Sequence, residues 1–152
     1  MNGGEDLQPL REILHRMLVR YLTVRPQGFV LKPGTLPVPH LDARILAFGG
    51  ARTLYRARKP HCRSLDGIRS VTHQDRVCAD CHSREHCVPQ VRLDLIVDRK
   101  PYRLLLAYSS ARAFLAYHAE LQRTNVTLEH VIHRLLVKDR GSWGEIVFTR
   151  PT

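Results

Sequence analysis

The chain has no apolar run approaching the roughly 18 residues that cross a bilayer, and its first apolar segment is interrupted by His15, Arg16 and Arg20. Its opening residues, Met1 to Glu5, lack the basic start and apolar stretch of a secretory leader. These absences predict a cytoplasmic protein without a membrane partner. The signatures of common enzyme sites are missing too. There is no glycine-rich phosphate loop, no nucleophile elbow and no His-Glu-x-x-His, and the acidic side chains are scattered singly. A nucleobase deaminase requires a proline directly before its Cys-x2-Cys pair, and Val77 stands there instead. The expectation is that the protein is not an enzyme. No repeat and no Ser/Gly linker divides the 152 residues, so they read as a single domain, 1–152.

Acidic residues are few, 14 against 24 Lys and Arg, which leaves a formal net charge of +10. Such a surface attracts polyanions at long range and gains counterion entropy when it binds them, so nucleic acid leads the list of partners. A hydrophobic fraction of 43% and a charged fraction of 25% are those of a folded globular chain rather than a disordered basic tail.

All four cysteines fall within 26 residues, with the spacing Cys62-x15-Cys78-x2-Cys81-x5-Cys87. In a reducing compartment that crowding points to a metal rather than to disulfides, which would allow three pairings. A Cys-x2-Cys turn sets two thiolates on one side of a tight loop, and two further cysteines complete the tetrahedral shell of a Zn2+ ion. Four sulfur ligands leave no position open for water, so the zinc is structural. His82 and His86 are placed to replace one cysteine, His61 and His73 lie near, and a four-cysteine iron–sulfur centre remains an alternative.

Residues 52–76 concentrate the charge. Seven basic side chains, Arg52, Arg56, Arg58, Lys59, Arg63, Arg69 and Arg76, face two acidic ones, Asp66 and Asp75, for a net +5, half of the chain's +10. Arginines that fork onto phosphates, mixed with Tyr55, are the ingredients of a single-strand groove. Tyr55 and Tyr102, each close to arginine, are the candidates for base stacking.

Apolar residues at helical spacing predict an amphipathic N-terminal helix over 5–22, within a segment 1–24. The proline-rich stretch 26–39 reads as a loop or edge strand, with Phe29-Val30-Leu31 its strand-like piece. Arg44–Phe48 and Arg52–Arg56 read as a hairpin turning at Gly49-Gly50. The zinc-binding loop occupies 59–90. Period-two alternation over 91–97 and a return over 102–108 predict a second hairpin, followed by a helix over 110–122 capped by Ser109 or Ser110, with Ala111, Phe114, Leu115, His118 and Leu121 facing inward. A closing hairpin joins 131–137 to 143–149, with a helical start over 128–136 as the alternative. The whole predicts a mixed α+β fold: a small, mainly antiparallel barrel or curved sheet with two helices and a zinc-stapled loop insertion.

The run Pro60-His61-Cys62-Arg63-Ser64-Leu65-Asp66-Gly67, followed by Cys78-Ala79-Asp80-Cys81 and Cys87, resembles a group of small phage and mobile-element proteins with a Pro-x-Cys-x-Ser-x-Asp-Gly segment and then Cys-x2-Cys and Cys. The resemblance covers about residues 45–150, including Tyr-Ser-Ser-Ala before the second helix and the Trp-Gly-Glu-x-Val-Phe ending; His82 stands where that pattern has proline. It implies an OB-like barrel with a zinc insertion, and a sequence-nonspecific single-stranded-DNA-binding protein of replication or recombination. The residues alone leave two alternatives: a zinc-containing adaptor that grips a polymerase, recombinase or nuclease, and an RNA-binding factor. Ser64, Asp66 and Gly67 themselves read as a tight turn that shapes the loop.

Overall fold

A computed structural model of the chain describes residues 19–73 and 76–151. These form strands β1 (Arg20–Tyr21), β2 (Thr23–Arg25), β3 (Gly28–Val30), β4 (His40–Arg56), β5 (Lys59–Ser64), β6 (Val88–Val97), β7 (Lys100–Leu106), β8 (His133–Asp139) and β9 (Gly144–Thr149). One α-helix, α1 (Tyr108–Arg123), joins β7 to β8, and short 3-10 turns lie at Cys78–Asp80, Arg84–His86 and Leu128–His130. Seven strands build one curved sheet in the order β1-β7-β6-β4-β8-β9, with β5 also on β4; β2 and β3 form a separate hairpin. The sheet is mainly antiparallel and does not close on itself: β1 and β9 end it, and β1 pairs with β7 in parallel.

β4 organises this sheet. Its first residues pair with β8, residues 44–53 with β6, and residues 52–56 with β5. The register slips between Ile45 and Ala47, so that Ile45 and Leu46 are both buried and the strand bends there. The hairpin expected at Gly49-Gly50 is absent. Both glycines lie inside β4, opposite Arg92 and Val91, and neither takes a positive φ. At position 49 a Cβ would stand 3.3 Å from the Arg92 guanidinium, a tight contact that the arginine would have to shift to relieve. The chain reverses instead at Ala57 and Arg58, whose φ angles of 51° and 64° make the two-residue turn that suits strand twist. Asp98 and Arg99, at 49° and 64°, do the same for the expected β6–β7 hairpin.

Of the N-terminal helix expected over 5–22, residues 5–18 lie outside the described residues. Its end is strand: Arg20 and Tyr21 pair with Tyr102 and Arg103, and Leu22 is buried in the core. The stretch 26–39, read as a loop or edge strand, holds β3, which pairs with β2 just before it and has Phe29 fully buried. Gly28 has a φ of 144° and lies so close to the backbone of Val38 that a side chain would collide with it.

Alternate residues of β4, β6 and β7 point into one core, where Ile45, Leu93, Leu95, Tyr102 and Leu104 meet Phe29, Phe114 and Phe148. α1 covers it through Phe114, Tyr117 and Leu121, and the Phe114 ring meets Phe148 edge-on at 5.3 Å. Leu115, expected inward, is 48% exposed. The helix begins at Tyr108 after Ala107, and Ser110 does not cap it: its hydroxyl accepts the Ile146 backbone N–H at 3.0 Å and ties the helix to β9. The closing β8–β9 hairpin is present as expected.

One polar pair is sealed under this layer. His133 has no exposed surface; its Nε2 donates to the Leu128 carbonyl at 2.7 Å, and its Nδ1 accepts from the Tyr117 hydroxyl. Burial lowers the His133 pKa below 6.5, and Arg150 lowers it further against the pull of the Leu128 carbonyl. Burial also pushes the Tyr117 phenol up to about 12, so both groups are neutral near pH 7. The unfolded chain therefore takes up the His133 proton first as pH falls below 6.5. Stability should be full above that value and decline beneath it, and His133→Phe should flatten the decline. Urea midpoints measured from pH 7.5 to 5 for both proteins check this.

Candidate metal centre and nucleic-acid face

β5 carries Cys62, and the two 3-10 turns place the other cysteines: Cys78 opens the first, Cys81 follows it, and Cys87 follows the second. The Cys81 N–H donates to the Cys78 carbonyl at 3.2 Å, the tight turn that a Cys-x2-Cys pair makes. The Ser-x-Asp-Gly run is a turn as well. Asp66 Oδ1 accepts from the N–H groups of Ile68 at 2.7 Å and Arg69 at 2.9 Å, and Ser64 Oγ accepts from Gly67 N–H at 2.9 Å. The Arg69 and Ile68 amides hold the Asp66 carboxyl below its usual value, so the turn is charged and tied at neutral pH. Behind it, Ser70 accepts two further amides and contacts Cys62 Sγ at 3.1 Å.

These turns bring all four thiols to one cavity of about 20 Å³, lined also by Arg52, Arg76 and Arg84. That is about the room of one water molecule. Burial raises the Cys87 pKa, the neighbouring Cys81 and Cys62 thiols add to the rise, and Arg52 opposes it. None of the four nearby imidazoles lines the cavity: His82 and His86 are exposed, and the rings of His61 and His73 face each other 6.0 Å apart. Among the described residues no group of three or more Cys, His, Asp or Glu is arranged to hold an ion as it stands. The thiols share a cavity but do not form a closed shell. The donor set fits a tetrahedral zinc centre by its chemistry. Four thiolates and Zn2+ carry a net charge of −2, and three guanidiniums line the place where that charge would lie.

The basic residues divide into three groups. Arg56, Arg58 and Lys59 are exposed at the tip of the β4–β5 hairpin. Arg52 and Arg76 line the thiol cavity, and Arg69 is exposed on the turn beside it. Arg63 lies back over the sheet, with Nε 3.4 Å from Thr53 Oγ1 and its guanidinium 4.5 Å from the Tyr21 ring centroid. Tyr55 is 40% exposed and accepts a hydrogen bond from Gln90 Nε2. Tyr102 corrects the sequence reading. It is 5% exposed, on the inward face of β7 with Leu104 and Leu106, and has no ring face for a base.

Residues opposite each other in a ladder share a face. The pairs Tyr21↔Arg103, Arg103↔Asp94, Ala47↔Asp94 and Gly49↔Arg92 therefore set Tyr21, Arg92, Asp94 and Arg103 on the outward side of the sheet, opposite the Leu93–Leu95 core. On that side Tyr21 is exposed, while Arg92, Asp94 and Arg103 are largely covered and Ala51, Thr53 and Gln90 are buried. Thr53↔Arg63 continues that side toward Tyr55. The single Asp94 carboxylate is shared by two guanidiniums, Arg103 at 3.2 Å and Arg92 at 3.4 Å, which leaves the cluster net positive. Arg92 also reaches the Leu65 carbonyl and so fastens the cysteine loop to the sheet. Next to the cluster a groove of about 930 Å³ runs past Phe48 to the end of α1. Sequence reading missed Arg92, Arg103 and Tyr21. The alternation over 91–97 already put 92 and 94 on the side away from the core, so Arg92 was within reach of that pattern. Tyr21 was hidden by the helical periodicity before it.

Compared with protein-family models, with curated proteins and with solved structures, the chain matches none. No helix among the described residues is long and apolar enough to cross a membrane.

Because Tyr102 is core, Tyr102→Ala should cost about 3–5 kcal/mol of unfolding free energy, the usual loss for a buried aromatic truncated to Ala. Chemical denaturation reads this directly.

Proposed function

We propose that the chain binds single-stranded DNA without sequence preference, through the outward side of its curved sheet and the basic β4–β5 hairpin. The observation that carries the reading is the continuity of that side. Tyr55, Arg63, Tyr21, Arg103 and Arg92 follow one another across β4–β5, β1, β7 and β6, with exposed Arg56, Arg58 and Lys59 at one end. Arginines suit phosphates, and Tyr55, 40% exposed, offers its ring to a base, while the Tyr21 ring carries the Arg63 guanidinium.

The arrangement supports an OB-like reading of the sheet. Its five principal strands are β4, β6, β7, β8 and β9, with a long bent first strand shared between the second and the fourth. In an OB fold the face of strands two and three, with the loops between strands one and two and between four and five, takes the oligonucleotide. Here those strands are β6 and β7, the first loop is β5 with the cysteine segment, and the second carries exposed Trp143.

Cys62, Cys78, Cys81 and Cys87 would hold a structural Zn2+, closing inward on the shared cavity as they lose their protons. Bound there, the ion supplies a tetrahedral staple and no reactive position. The chain's own residues present the hairpin: Ser64, Asp66 and Ser70 fix the turn, and Arg52, Arg76 and Arg84 offset the thiolate charge. This reading places the protein with the DNA-handling machinery of the cytoplasm rather than at a membrane.

Two measurements test it. The purified protein should contain one zinc per chain, and a chelator or Cys81→Ser should lower its melting temperature; a metal-free protein with an unchanged melting temperature would remove the staple. Fluorescence anisotropy should show single-stranded DNA bound more tightly than duplex, with steep salt dependence. Arg56→Ala with Arg58→Ala should weaken binding and reduce the salt slope by about two. Tighter binding to the matching RNA would reassign the partner. No binding at low salt by the zinc-loaded protein would favour a protein-interaction adaptor, for which exposed Ile68 and Val71 on the cysteine loop are the contact candidates.

A further inference from the structure

We propose that the groove between the outward face of the sheet and the end of α1 takes one unstacked nucleobase of the bound strand, with its phosphate on the sheet side. The inference rests on the single-strand reading above and adds a site to it. With a volume of about 930 Å³, the groove has the size of a small-ligand site and opens beside Arg92 and Arg103, so a strand crossing the sheet passes its mouth.

Its two walls differ in charge. On the sheet side, Arg92 and Arg103 share only the Asp94 carboxylate and leave one positive charge over. The far wall is the C-terminal end of α1 and the segment after it, Gln122, Asn125 and Thr127 with the acidic Glu129, whose carboxylate balances the positive charge left on the sheet side. A helix end of that polarity carries partial negative charge and disfavours a phosphate, but it favours hydrogen-bond donors such as the exocyclic amines of cytosine, adenine and guanine. The side-chain amides of Gln122 and Asn125 can both donate and accept, which suits a base edge.

Phe48 lines the groove from the α1 side of β4, the face it shares with Leu93. It is 37% exposed, and its ring is held edge-on by Phe114 at 5.1 Å and His118 at 4.7 Å. An aromatic fixed by its neighbours and open on one side is a stacking surface with little ordering entropy left to lose. The lining thus offers guanidiniums to a phosphate, an aromatic ring to a base and side-chain amides to its edge.

The test compares a short single-stranded DNA with an abasic strand of the same length, using wild type, Phe48→Leu, Gln122→Ala and the Arg56→Ala/Arg58→Ala double variant. Gln122 is exposed, so its variant should fold normally. Phe48→Leu and Gln122→Ala should each weaken the base-bearing strand about tenfold, in the range of one lost stacking contact, and leave the abasic strand unchanged. The hairpin variant should weaken both strands alike. If the hairpin variant behaves so while both groove variants bind like wild type, the groove site is overturned and the single-strand reading stands. If wild type binds no strand, that reading falls, and the groove is judged by amide NMR shifts with dCMP. Shifts at the Gln122 and Asn125 side chains retain a nucleotide site, and their absence overturns it.

Discussion

The structure depends on one strand. β4 is 17 residues long and serves β8, β6 and β5 in turn, so the core sheet, the closing hairpin and the cysteine-bearing hairpin all take their position from it. Its bulge at residue 46 lets neighbouring residues Ile45 and Leu46 both be buried and turns the strand's far half away from the core. That far half carries Arg52, Tyr55 and Arg56 beyond the reach of α1 and pairs them with the strand that holds Cys62. A shift of one residue in β4 would exchange its faces and move the basic residues relative to the cavity.

The cysteine segment is fixed to this strand by polar contacts more than by apolar burial. No residue of the two 3-10 turns is buried. What orders it are the amides gathered by Asp66 and Ser70, the reach of Arg92 to Leu65, and four thiols around one small space. A segment built this way gains little from the hydrophobic effect, and a metal linking its two ends would supply the stability that burial does not. The contrast with the sheet is plain: there Leu93, Leu95 and Leu135 are fully buried, and the fully enclosed polar side chains are partnered, His133 through both ring nitrogens and Thr53 through Gln90.

The outward face joins the two parts. Arg63 belongs to the cysteine-bearing hairpin and Tyr21 to the opposite edge of the sheet, yet the guanidinium lies over the ring. Arg92 similarly connects the Asp94 cluster to the cysteine loop. Ordering of the loop and the shape of the polar face are thus coupled through two arginines. In the proposed function that coupling is how a structural metal remote from any base influences DNA binding.

By itself the sequence determined the elements whose signals are local. Alternation over 91–97 with its return strand, the helix near 110–122, the closing hairpin and the Ser-x-Asp-Gly turn all follow from side-chain period and from hydroxyl and carboxylate groups that bond their own backbone. It also marked the four cysteines, because crowding of that kind is a property of spacing. Tertiary structure alone decided the rest. Gly49-Gly50 carries the local mark of a turn, but β6 supplies a ladder partner along its whole length, with the Arg92 guanidinium close over Gly49. The helical periodicity running into Tyr21 ends in a strand because β7 offers an open parallel partner. Tyr102 and Tyr55 look alike in sequence, each beside an arginine, and only the direction in which each strand faces makes one core and leaves the other on the surface. Facing is set by contacts between residues far apart in the chain, and no local pattern contains them.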